Sequence, residues 1–189
     1  MKQRIILAVT GASGSPYAVA LASELGRRPD IELHAIVSDA AKQVMLLETN
    51  ETTESITKRA VASHSISDIG APPASGSWEH HGMIVCPCSM ATLGNIACGT
   101  GHNLIHRAAD VTLKERRPLI LVTREAPLNE IHLQNMLRAH QAGATIFPAC
   151  PGYYHRPQNL EDLVRQLAGR VLDQLHIPNQ LTRRWKEDA

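Results

Sequence analysis

Arg124 and Glu125 stand side by side at the end of the apolar run Leu119-Ile120-Leu121-Val122-Thr123, which follows a cationic stretch, Lys114-Glu115-Arg116-Arg117. Structural charges usually ride on solvated helix faces. A charged pair at the carboxyl end of a buried strand is placed where open parallel sheets bind ligands. A fixed cation next to a carboxylate suits an anionic ligand and a proton acceptor in one place. Arg107, Asp110 and Lys114 share one helical face, at spacings of three and four, and read equally well as a second cationic group or as a solvated ion-pair ladder. Tyr153-Tyr154-His155-Arg156 lies in a Pro/Gly-bounded loop of a chain with three tyrosines; it offers phenolic donors, or only a hydrophobic anchor. Arg170, in the last helical segment, reads from pattern alone as a surface arginine.

Those residues need a scaffold, and strand-like and helix-like runs alternate along the chain. The alternation predicts an α/β fold: a three-layer, flavodoxin-like or Rossmann-like parallel sheet with helices on both faces. Strands are expected at 4–10, 32–37, 83–86, 119–123 and 144–147. Helices are expected from Pro16 to Arg27, after Ser38-Asp39 to Glu48, after Ser89 to Cys98, after Asn103 to Glu115, over 129–141 and over 160–175. The segment 49–82 is weakly patterned. Its Ala71-Pro72-Pro73-Ala74-Ser75-Gly76-Ser77 stretch breaks regular structure and is expected as a mobile loop over a site. A tail covers 176–189.

Gly11-Ala12-Ser13-Gly14 falls between the first strand and first helix, where free N–H groups and the helix dipole favour a phosphate, although a tight turn needs glycine equally. Cys86-Pro87-Cys88-Ser89-Met90-Ala91-Thr92 repeats the arrangement later in the chain, with ordinary capping by Ser89 as the plainer alternative. A nucleophilic Cys88 lacks a histidine partner nearby in sequence.

The chain has 189 residues, 43% of them hydrophobic, enough for one well-cored domain, expected to be 1–189. Nineteen basic residues against 18 acidic ones give a formal charge of +1, no electrostatic case for nucleic acid or a membrane surface. The start, Met1-Lys2-Gln3-Arg4, runs directly into a strand, and four cysteines without paired C-x-x-C motifs suit reduced thiols, so a cytoplasmic protein is expected. Ten histidines occur without a ligand spacing, and no metal site is expected.

Together these blocks resemble the UbiX-type flavin prenyltransferases, within the flavin-containing decarboxylase-like superfamily. The likeness is carried by Thr10-Gly11-Ala12-Ser13-Gly14, Ser38-Asp39-Ala40-Ala41, Leu47-Glu48-Thr49, Ser75-Gly76-Ser77, Pro87-Cys88-Ser89, Arg107-Ala108-Ala109-Asp110-Val111, Leu113-Lys114-Glu115-Arg116, Arg124-Glu125, His132-Leu133, Tyr154-His155-Arg156-Pro157 and Arg184-Trp185. It implies a metal-independent enzyme, assembled as a homododecamer, that transfers a dimethylallyl group from dimethylallyl phosphate to N5 and C6 of reduced FMN. The prenylated FMN would then pass to a UbiD-type decarboxylase. The resemblance assigns FMN binding to Gly11, Ala12, Ser13, Ser38, Ser89, Met90, Ala91, Thr92, Arg107 and Arg124. It assigns the prenyl phosphate to Lys114, Glu125, Tyr154 and Arg170, with Glu48 and Trp185 beside the donor, and proton handling to Ser13 and Glu125. Some members carry a tryptophan shortly before the Ser-Gly-Ser loop; Ile69 stands near that place here. Two other readings compete: an FMN carrier or accessory subunit of an aromatic-acid decarboxylase, and a flavin-dependent cysteinyl decarboxylase. The second needs an Asn-x-x-Met-Trp clamp that Asn135-Met136 does not provide.

Overall fold

In the computed structural model, residues 2–182, 184 and 185 are described; Arg183 and 186–189, part of the expected tail, lie outside the described residues. The chain runs β1 (Gln3–Val9), α1 (Ser15–Gly26), β2 (Ile31–Val37), α2 (Asp39–Glu48), α3 (Glu54–Thr57), β3 (Ala62–His64), a 3₁₀ turn (Pro72–Ala74) and β4 (Gly82–Cys88). It continues with α4 (Met90–Cys98), α5 (Leu104–Lys114), β5 (Leu119–Thr123), α6 (Glu130–Gln141), β6 (Thr145–Pro148) and α7 (Leu160–Asp173). The strands form one parallel sheet in the order β3-β2-β1-β4-β5-β6.

The expected parallel architecture is present, with one strand more than the apolar runs indicate. β3 is three residues long, Ala62-Ser63-His64, and pairs with β2 through His34↔Ala62 to Ile36↔His64. An edge strand needs backbone pairing on one side only, so no apolar run announces it.

Strand periodicity divides the core. Ile5, Leu7 and Val9 of β1 face α1 and α7, while Ile6 and Ala8 face α4 and α5. Both faces are covered, which explains the unbroken apolar runs of β1, β4 and β5. The order reverses between β1 and β4, so their carboxyl ends open the crevice that parallel sheets use for ligands.

Residues 65–81 return the chain from β3 to β4 along α5. Arg107 Nε donates to the Ala74 carbonyl at 3.2 Å, and Arg117 donates to the carbonyls of Gly76 and Trp78 at 2.8 and 3.1 Å. The stretch expected above a site thus lies on α5 of its own chain, its latter part at the amino edge of the sheet. Beneath it His34 stacks on His64 with ring centroids 5.4 Å apart and meets Trp78 edge-on at 4.7 Å, and the Arg4 guanidinium sits over that indole. Burial, reinforced by His64 and Arg4, pushes His34 down to about 4; Glu32 opposes this. Burial, then Arg117, pushes His80 to about 4 as well.

Both rings must stay neutral in the folded state. Their contribution is present above the unfolded value of 6.5 and is lost as pH falls toward 4. We expect about 2 kcal/mol of stability per ring to disappear between pH 7.5 and 4.5. Urea unfolding at the two pH values checks this: His34→Leu should flatten the pH dependence, and an unchanged slope would remove the His34 account.

Candidate active site

Four loops meet at the carboxyl edge. The first, 10–14, is shaped by two glycines. A Cβ on Gly11 would come within 2.5 Å of the Ala40 Cβ, so glycine lets the start of α2 approach; Gly14 has φ +120°. Thr10 ties this loop to the next: its hydroxyl donates to the Pro87 carbonyl at 2.7 Å and accepts from the Ser89 N–H at 2.9 Å. Thr10, 3% exposed, was no site candidate from sequence; a hydroxyl closing the apolar run Ile5–Val9 was the available signal.

The amino terminus of α1 is not an open phosphate cradle. Glu48, at the end of α2, places Oε2 2.9 Å from the Gly14 N–H and 2.8 Å from the Ser15 N–H. Its carboxylate takes the place expected for a ligand anion and satisfies the helix end electrostatically. Burial works to raise the Glu48 carboxyl, but hydrogen bonds from Ser13, Gly14 and Ser15 outweigh it and hold it below the usual carboxylate range. Ser13 and Glu48, which the resemblance assigns to different groups, are therefore coupled.

The second helix start differs. Ser89 caps α4, its Oγ accepting from the Thr92 N–H at 3.3 Å and donating to Thr92 Oγ1 at 3.1 Å. Capping and ligand binding are compatible here. Helix geometry leaves the Met90 and Ala91 N–H groups outside the intrahelical ladder, and no acidic residue lies in the first turn. Ser38 similarly accepts from the Ala41 N–H at 3.1 Å, keeping its own O–H to donate.

Arg124 closes the crevice. Its backbone N–H donates to the Cys88 carbonyl at 3.4 Å, and its Nε donates to the Ser13 carbonyl at 3.3 Å, so β5, β4 and the first loop are joined by one residue. Glu125 is exposed beside it and accepts from the Ala126 N–H at 3.1 Å. Cys88 is fully buried and its thiol is pushed up to about 12 by burial, which removes it as a nucleophile.

The crevice thus gathers Gly11, Ala12, Ser13, Ser38, Glu48, Ser89, Met90, Ala91, Thr92, Arg124 and Glu125. It does not gather the rest. Lys114 ends α5, where it pairs with Glu115, and β5 then runs five residues before Arg124. That places Lys114 at the amino edge, about 16 Å of strand away from the crevice. Arg107, on the same helix, pairs with Asp110 at 2.7 Å. Tyr154 leaves the carboxyl edge after β6 and leans on α7, accepting from Gln166 Nε2 at 2.8 Å, with Trp185 edge-on at 5.3 Å. Arg170 lies one turn further along α7 and pairs with Asp173 at 2.7 Å. Leu175, just past that helix, packs at Gly82, the amino edge, so Arg170 stands well below the crevice. Ile69 is 66% exposed.

The crevice fits FMN by its donors: hydroxyls of Ser38, Ser89 and Thr92, amides at a helix start free of acidic neighbours, and one arginine. Among the described residues, no group of three or more His, Cys, Asp or Glu is placed to share a metal ion, and no helix is long and apolar enough to cross a membrane.

Comparison with known proteins agrees with this chemistry. The Flavoprotein family model matches residues 1–171. The flavin prenyltransferase LpdB of Lactiplantibacillus plantarum is 46% identical over 98% of this chain and all of its own length. AnUbiX (PadA1), solved in complex with FMN and dimethylallyl pyrophosphate, superposes with a TM-score of 0.95 at 42% identity, covering 98% of both chains. A dodecameric FMN-dependent UbiX-like decarboxylase from Escherichia coli O157:H7 has the same TM-score and identity, covering 97% of this chain and all of that one. This chain belongs to the flavoprotein family and, within it, to the flavin prenyltransferases.

Proposed function

We propose that this protein transfers a dimethylallyl group from a dimethylallyl phosphate ester to N5 and C6 of reduced FMN, releasing prenylated FMN for a UbiD-type decarboxylase. The observation that carries the reading is the junction made by Arg124, which fixes a cation and the neighbouring Glu125 carboxylate against the Ser13 loop at the sheet's switch point.

Gly11, Ala12, Ser13, Ser38 and Arg124 would hold the flavin ring and side chain, and the start of α4, Ser89 to Thr92, its phosphate, since that helix end has no carboxylate on it. The bound reduced flavin supplies an electron-rich acceptor. Cleavage of an allylic C–O bond builds negative charge on the leaving phosphate, which Lys114, Arg170 and the Tyr154 hydroxyl would stabilise more in the transition state than before it. Glu125 would accept the proton lost as the ring closes. Ser13, hydrogen-bonded to an ionised Glu48, would hold or relay a proton at its Oγ. Trp185, against Tyr154, would line the prenyl pocket.

Lys114 and Arg107 fit this scheme only if a second copy lends its α5, and Arg170 only if a second copy lends its α7, because their own chain holds them away from the crevice. A homododecamer, the assembly of the E. coli structure, would supply such neighbours. Exposed Leu46 and Leu47 on α2, Ile131, Leu133 and Leu137 on α6, and Trp185 support burial by other copies. A cytoplasmic setting belongs to the same reading and is supported by free Cys86 and Cys88 inside the core.

Anaerobic incubation with reduced FMN and either dimethylallyl phosphate or its pyrophosphate, followed by mass measurement of the extracted flavin, tests the reading. A prenyl adduct is expected with at least one donor. Unmodified FMN in both arms would leave the carrier reading instead.

A further inference from the structure

Lys114 does not project freely from the end of α5. It lies against the Ser75-Gly76-Ser77 turn, whose central residue meets the Lys114–Glu115 pair so closely that a Cβ on Gly76 would overlap Glu115 Oε1 and stand 2.7 Å from Lys114 Nζ. Gly76 is not among the glycines with positive φ, so close approach rather than backbone freedom is what asks for glycine here. The turn is itself held. Arg117 donates to the carbonyls of Gly76 and Trp78 at 2.8 and 3.1 Å, Arg107 donates to that of Ala74 at 3.2 Å, and the Ser75 and Ser77 hydroxyls share a hydrogen bond of 2.9 Å. Glu115 completes the seat. It accepts from Lys114, the main reason its carboxyl stays below the usual carboxylate range, and Arg117 adds a smaller pull in the same direction. An ammonium is a compact charge on a flexible four-carbon stem, and only a seat of this kind gives it one place to stand.

We propose that Gly76 is a positioning residue, kept in register by Arg117, that sets where the Lys114 ammonium stands for the leaving phosphate in a neighbouring copy's site. The inference rests on the reading of Lys114 as part of a leaving-group clamp lent from one copy to another. A cation placed before the C–O bond breaks acts on the developing charge without having to reorient. The three atoms nearest a methyl group at position 76 all belong to the ends of the Lys114 and Glu115 side chains. The fold can therefore absorb that methyl group by moving them, and the cation loses its place.

Gly76→Ala should accordingly melt and assemble like the parent and bind FMN as well, yet lose about 10²-fold in kcat/KM for dimethylallyl phosphate, the scale of a small misplacement of a catalytic group. Co-assembly then shows which copy the defect belongs to. Mixed in equal amounts with Glu125→Gln, Gly76→Ala should regain about a quarter of parent activity, because some sites then join a native Glu125 crevice to a native Gly76 and Lys114 edge. Mixed with Lys114→Ala it should regain nothing, since both changes spoil the same lent edge. A merely structural role, acting through the variant's own crevice, predicts the reverse in both mixtures. Arg117→Lys, which keeps the charge but not the fork that spans two carbonyls, carries the same expectations should the alanine variant assemble poorly. Parent-like kcat/KM in Gly76→Ala, recovery with Lys114→Ala, or loss of assembly in both variants overturns the inference while leaving prenyl transfer intact. So does a failure to recover with Glu125→Gln when Lys114→Ala does recover with it. If Lys114→Ala and Glu125→Gln do not restore each other, the lent clamp falls and this inference falls with it.

Discussion

Glu125→Gln should lower the yield of ring-closed prenylated FMN by about 10²-fold or more, the usual contribution of a positioned general base. Glu125 follows Arg124 at the end of β5, and Arg124 is anchored through its Nε on the Ser13 carbonyl and through its backbone N–H on the Cys88 carbonyl. The carboxylate therefore projects from a fixed point of the crevice rather than from a free loop. Glutamine keeps the length and can still accept from the Ala126 N–H as Glu125 does, so the local backbone should be retained. What it lacks is the capacity to take a proton at neutral pH. FMN affinity, read by flavin fluorescence quenching, should change little, because the proposed phosphate contacts lie on α4. Product yield in the anaerobic assay is the deciding measurement, and a Gln variant that forms ring-closed product at the parent rate would remove Glu125 as the base.

The elements that position this crevice were legible in the sequence where physics is local. Unbroken apolar runs marked β1, β4 and β5; Ser38, Ser89, Asn103 and Asn129 marked helix starts and do cap them. Arg124 and Glu125 could be placed at a strand end because β5 is short and buried on both faces. Pairing across the chain was not legible. Glu48 lies 34 residues from Gly14, and nothing local says that a carboxylate closing α2 will fill the amide pocket opening α1. Two strand-to-helix turns with small hydroxyl residues therefore looked alike in sequence, yet one is occupied by the protein's own anion and the other remains the better phosphate site. β3 escaped notice for a similar reason, since its three residues are held by their partner strand and not by their own pattern. Gln166 was hidden inside an amphipathic helix, where a polar residue reads as the solvent face until burial shows otherwise.

The separation of Lys114 from Glu125 yields a test that single-site kinetics cannot. Lys114→Ala should reduce turnover by about 10²- to 10³-fold, as expected when a fixed cation is removed from a developing oxyanion, and Glu125→Gln alone should be comparably impaired. Their places at opposite edges of one sheet mean that a working site would draw Glu125 from one copy and Lys114 from another. Random co-assembly of the two variants in equal amounts, by refolding together or co-expression, then creates some sites with both native residues. Each such site needs a Lys114→Ala chain at the crevice and a Glu125→Gln chain lending α5, which random mixing provides in about a quarter of sites for this heterologous pairing. Activity near that fraction of the parent is expected, although both starting proteins are nearly inactive. If the two residues served one site from a single chain, every mixed site would carry a defect and co-assembly would restore nothing. Flat activity in an assembly shown by native mass spectrometry to contain both chains would therefore overturn the shared site and draw Lys114 and Glu125 from the same chain.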